Sequence, residues 1–144
     1  MSQLHLGTWD RARREIGQAI LDVTRPWDGS LQLADILKML ERPPENIDCD
    51  FALPCFRFAK LRRMSPAQIA EELASVLNER QVDMISSVSS AGAFCNVNVN
   101  LRHFAACYFP RVRSGELFSE LKLAHQPRKI MVEFSQPNTH KEFH

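Results

Sequence analysis

Apolar residues recur at helical spacing from the start of the chain. Trp9, Ala12, Ile16, Ala19, Ile20 and Val23 share one face, Thr8 stands at a capping position, and Pro26 ends the pattern. Arg11, Arg13 and Arg14 lie around the other side and read as a solvated face. The next stretch, SLQLADILKML, fits an amphipathic helix capped by Ser30, but periodicity alone does not separate that helix from a short strand before the break at Pro43-Pro44. From Ala52 to Arg62 a helix would bring Phe56, Ala59 and Lys60 to one side. Arg57, Lys60, Arg62 and Arg63 make the densest basic cluster, most simply a solubilising surface. SPAQIAEELASVL carries the clearest local signal. Ser65 is the N-cap, Pro66 the first helical residue and Gln68 the far side of a capping box, and Ile69, Leu73, Val76 and Leu77 form a buried stripe.

The period then changes from helical to alternating. Val82, Met84 and Val88 partly alternate, Ser89-Ser90-Ala91-Gly92-Ala93 makes a turn, and Cys95, Val97 and Val99 alternate strictly with Asn96, Asn98 and Asn100. This predicts a hairpin with one wet face. Asparagine is depleted in strands, and each amide needs partners. Asn100 is placed to cap a following helix in which Leu101, Phe104, Ala105 and Tyr108 share a face and whose end begins at Pro110. Residues 111 to 128 read as a connector. Ile130, Met131, Val132 and Phe134 then form a short apolar run of the kind expected for a buried parallel strand, stopped by Ser135, Gln136, Pro137 and Asn138.

Composition narrows the function classes. At 144 residues the chain can bury a core without disulfides or metal. With 18 Lys+Arg against 17 Asp+Glu the formal charge is +1, so any nucleic-acid contact has to be local. Cys49, Cys55, Cys95 and Cys107 show no CxxC pair and no zinc-type spacing with histidine, so no metal site is expected and buried free thiols are the reading. The N-terminus lacks the apolar segment of a signal peptide, and no run approaches membrane length, which points to a soluble cytoplasmic protein.

Three motifs in order carry a family resemblance. Asp50-Phe51-Ala52-Leu53-Pro54, Gly92-Ala93-Phe94-Cys95-Asn96 and Glu133-Phe134-Ser135-Gln136-Pro137-Asn138, the last running on through Lys141 to His144, together resemble arginyl-tRNA synthetases. These are class I enzymes with a His-x-Gly-His signature. The resemblance covers roughly residues 50 to 144 and favours a strand near residues 36 to 42. It implies that His144 is the first signature histidine and that the chain is the front of a longer enzyme, cut inside that motif. The parent would activate arginine with ATP and Mg²⁺ and transfer it to tRNA(Arg). The fragment itself would bind no cofactor and would not catalyse.

The resemblance also assigns roles. Glu133 would hold the arginine guanidinium, since a carboxylate meets that planar cation in a fork. Asn138 would bond the amino-acid end of the substrate and Ser135 would be an accessory contact. Lys141 would assist with ATP phosphates, and His144 would donate to phosphate oxygens as charge moves. His140 receives no role. Phe94 and Asn96 would contact a D-loop base of the tRNA, the ring by stacking and the amide by reading its edge. The family pattern departs here at Ala91 and Ala93, where other members carry asparagine and proline.

The expected architecture is α+β. An antiparallel sheet with helices packed on one side fills residues 1–125, and residues 126–144 open a Rossmann-type catalytic domain. The protein is expected to be a monomer with tRNA(Arg), arginine and ATP as partners and no membrane. A stand-alone interaction module derived from such a domain, or a piece of another class I synthetase, is the alternative.

Overall fold

The computed structural model describes residues 8–116. Five helices and a three-stranded sheet follow in the order α1 (Thr8–Thr24), α2 (Leu33–Met39), β1 (Phe51–Pro54), α3 (Phe56–Arg62), α4 (Pro66–Glu79), β2 (Ile85–Ala91), β3 (Phe94–Val99) and α5 (Leu101–Arg113). The sheet is antiparallel throughout, with β3 between β1 and β2. It agrees with the α+β expectation.

One face of the sheet holds the core. Cys95, Val97 and Val99 of β3 point inward beside Phe51, Leu53 and Val88, and α4 lies across β2 and β3 with Ile69, Leu73 and Leu77 buried. Burying each of these branched side chains contributes about 1.5–3 kcal/mol. Helix α1 packs on α4 and α2 through Ala12, Ile16, Ile20 and Val23. At Gly17 the two helices meet so closely that a Cβ would stand 2.9 Å from the Leu37 side chain.

The ends of α4 and the hairpin follow the local code. Ser65 Oγ accepts from the Gln68 N–H at 3.2 Å, and Gln68 Oε1 accepts from the Ser65 N–H at 3.0 Å. The β2–β3 loop is Gly92-Ala93, with Gly92 at φ +56°, a backbone that glycine adopts without a steric penalty. Asn100 Oδ1 caps α5 by accepting from the His103 N–H at 3.2 Å.

Residues 33–39 are helical, which corrects the expected strand over 36–42. Gln32, not Ser30, is the N-cap and forms a capping box with Asp35, while the Ser30 N–H donates to the Asp28 carboxylate. Ile36 is fully buried, and Arg13 Nη2 donates to the carbonyls of Leu37 and Leu40, closing the C-terminal end of the helix. What remains of an extended segment is one bridge, in which Glu41 and Ala52 exchange both backbone hydrogen bonds at 2.9 Å.

Four smaller expectations also change. Ala52 lies in strand β1, and the helix begins only at Phe56, because Phe51 to Pro54 find ladder partners on β3 from Val97 to Phe94. Arg13 is half-buried instead of solvated, since the α2 carbonyls need its guanidinium. Pro110 sits inside α5, which continues to Arg113. Of the four thiols Cys55 and Cys95 are buried, Cys49 is half-buried, and Cys107 is exposed. The boundary expected near Gln126 and the strand after it lie outside the described residues.

Candidate nucleic-acid interface

Alternation along β3 sends Phe94, Asn96 and Asn98 to the sheet face away from the core. Pro54 and Ala91 flank Phe94 on the neighbouring strands, Ala52 and Ser89 flank Asn96, and Ser87 stands beside Asn98. Phe94 is 37 % exposed and Asn96 only 8 %. The face is therefore less wet than alternation suggests, because the central strand is hemmed in on both sides. Asn98 Nδ2 donates to Ser87 Oγ at 3.2 Å, whereas the Asn96 amide has no hydrogen-bond partner among the described residues. Its amide atoms keep some contact with solvent, since Arg13 Nε is the one side-chain atom among the described residues that is both fully covered and unpartnered, so the Asn96 donor and acceptor remain available on this face.

A second ring stands at the same edge. Phe56, the first residue of α3 and 53 % exposed, meets Phe94 edge-to-face with centroids 6.1 Å apart and planes at 88°. Helical spacing placed Phe56 on one side with Ala59 and Lys60 and gave no sign of a partner ring. Its position follows from the pairing of Pro54 with Phe94, which no local periodicity reveals. Both rings are partly open to solvent, and exposed aromatic rings are the surfaces on which unstacked bases stack.

The basic cluster on α3 is partly committed elsewhere. Arg57 pairs with Asp28 at 2.9 Å, and the hydrogen bond from the Ser30 hydroxyl, followed by this contact, holds the Asp28 carboxyl below its ordinary value. Arg62 bonds both oxygens of Glu72 at 3.1 and 3.2 Å while its guanidinium lies 4.9 Å from the Trp27 ring centre. Lys60 and Arg63, both exposed, have no ion-pair partner among the described residues. They leave a modest local positive field beside Phe56.

The sheet, the hairpin and the helix before them match a known family. The sequence profile described as "Arginyl tRNA synthetase N terminal domain" covers residues 10–99, more than half of the chain. The chain belongs to that family. It is 35 % identical over 111 residues to an arginine–tRNA ligase of Alkaliphilus metalliredigens, a match covering 76 % of this chain and 19 % of the relative. The arginine–tRNA ligase of Clostridium perfringens is 33 % identical, with 79 % and 20 % covered, and that of Treponema pallidum 37 %, with 74 % and 18 % covered. The chain thus spans about a fifth of the length of these relatives. Of the residues assigned from sequence, Phe94 and Asn96 fall within the matched region and on one sheet face. Glu133, Ser135, Asn138, Lys141 and His144 lie outside the described residues. No described helix is long and apolar enough to cross a membrane.

Proposed function

We propose that this domain holds the tRNA of an arginine–tRNA ligase, taking a D-loop base on the open sheet face. The observation that carries the reading is the pairing of an exposed ring at Phe94 with an unpartnered amide two residues on, at Asn96, on the same face of a rigid central strand. Phe94 supplies a stacking platform, Phe56 holds that ring upright from one side, and the Asn96 amide, a donor and an acceptor together, reads the base edge. Lys60 and Arg63 attract the phosphates.

In the same reading, residues 126–144 open the Rossmann-type catalytic domain and the whole enzyme charges tRNA(Arg) with arginine at the expense of ATP with its magnesium ion. Glu133 receives the arginine guanidinium in a carboxylate fork, and Ser135 and Asn138 fix the amino-acid end. Lys141 and His144 meet the ATP phosphates, where positive charge and N–H donors stabilise the charge that develops on transfer.

Substitution of Phe94 by alanine tests the RNA reading. Losing one stacking platform weakens tRNA(Arg) binding by about 1–3 kcal/mol, while a ring already partly in solvent leaves the melting temperature near that of the parent. A large fall in melting temperature with unchanged affinity of the remaining folded protein would assign Phe94 to the core and overturn the proposal.

A further inference from the structure

Helix α5 carries a pair of metal-ligating side chains that the RNA reading does not use. His103 and Cys107 stand four residues apart, so the helix presents both on one face, with Cys107 Sγ 3.3 Å from His103 Nε2. Cys107 is exposed and His103 half-buried, so the space beside both donor atoms opens to solvent. We propose that His103 and Cys107 form a two-point chelate for a thiophilic divalent cation of the zinc class.

The geometry favours the pair. Zinc binds thiolate sulfur at about 2.3 Å and imidazole nitrogen at about 2.0–2.1 Å, so a near-tetrahedral ion holds the two donors roughly 3.5 Å apart. The observed 3.3 Å separation is close to that edge before any ion arrives. Helices present two zinc ligands on one face by this same i, i+4 spacing. The backbone beneath His103 is held as well, because its N–H is bonded to the Asn100 cap. In the free protein the two atoms share a hydrogen bond, so the ion takes the place of its proton and the imidazole turns to bring both lone pairs onto the metal, while the backbone stays as it is.

The other thiols lack these features. Cys55 and Cys95 are buried, and Cys49 is half-buried in the loop before β1. No three His, Cys, Asp or Glu side chains converge among the described residues, so the remaining coordination positions go to water and the site is a chelate of moderate affinity, not a closed structural centre. Binding replaces the thiol proton with the metal. The ion accepts lone pairs from Sγ and Nε2, one proton leaves to solvent, and no electron is transferred. The ion then ties two successive turns of α5, between the Asn100 cap and Pro110.

Cobalt(II), with the electron configuration that zinc lacks, is the probe. Titrated into the full 144-residue chain under a thiol-free reductant, it is expected to raise a thiolate-to-cobalt charge-transfer absorption that saturates at one equivalent and is displaced by zinc. Cys107→Ser abolishes the band and His103→Asn weakens cobalt binding by about tenfold or more, while Cys49→Ser leaves both unchanged. Zinc also raises the melting temperature of the parent chain and not of Cys107→Ser. Absence of the band in the folded parent, or its persistence in Cys107→Ser, would overturn the proposal. Both side chains project from the helix surface, and circular dichroism of each variant verifies that α5 has formed.

Discussion

The Asn78 amide pairs with both backbone groups of Val88: Nδ2 donates to the Val88 carbonyl at 2.8 Å, and Oδ1 accepts from the Val88 N–H at 2.9 Å. Strand β2 is an edge of the sheet, so its outer N–H and C=O groups have no neighbouring strand. Asn78, in the last turn of α4, occupies the place that another strand would take and closes the edge with a side chain.

Asn78→Ala removes a donor and an acceptor together and leaves Val88 with unpaired groups at a partly buried edge. A loss of about 1–3 kcal/mol is expected, read from the urea midpoint. Faster hydrogen exchange at Val88 than at Val97, on the central strand, localises the effect. Unchanged protection at Val88 would mean that the edge is held by something else.

Arg13 ties α1 to the end of α2 through two carbonyls 24 and 27 residues away in sequence. Hydrogen bonds from a charged donor contribute about 1.5–3 kcal/mol, and Arg13→Ala should lose that amount and fray α2 first. Arg13→Lys keeps the charge near the helix C-terminus but cannot span both acceptors, so an intermediate loss is expected. Equal stability of the two variants would remove the two-carbonyl geometry from the account.

Phe56 and Phe94 offer a coupling that can be measured apart from RNA. Edge-to-face rings contribute about 0.5–1.5 kcal/mol beyond their burial, and at this exposed edge the lower end applies. In a double-mutant cycle on folding stability, Phe56→Ala and Phe94→Ala should be non-additive by about 0.5 kcal/mol. Strict additivity would show that the rings do not hold one another. With tRNA present, Phe56→Ala should weaken binding less than Phe94→Ala, because it removes the support and leaves the platform.

The buried thiols give the fold an alkaline limit. Burial raises Cys55 to about 11 and pushes Cys95 higher still, with the neighbouring Cys55 adding to the latter shift. In the unfolded chain both ionise near the ordinary thiol value of about 8.5. Above that pH the folded state holds more protons, so stability falls as pH rises, by up to about 1.4 kcal/mol per unit for each thiol, until the folded pKa is reached. Urea midpoints should decline between roughly pH 8.5 and 10.5, and more gently in Cys55→Ala. A decline of equal slope in both proteins would exclude Cys55 as a source.

The elements written in local chemistry were legible in the chain itself. Ser65, Pro66 and Gln68 define the start of α4 within four residues; Gly92 and the alternation of Cys95, Val97 and Val99 define the hairpin; and Asn100 announces α5. Each depends on contacts between neighbours in sequence, which spacing reports directly. The motifs around Phe51 and Phe94 likewise carry the family's mark in the sequence itself, and both lie within the region its profile matches. Tertiary structure decided the rest. Whether residues 33–39 coil or extend was settled by burial of Ile36 and by the guanidinium of Arg13, brought from another helix. Phe51 to Pro54 became a strand because β3 offered its ladder, and that register set Phe56 against Phe94. A short apolar run has no preference strong enough to choose between coil and strand. The choice falls to the partner that satisfies its backbone and covers its side chains, and that partner stands far off in sequence.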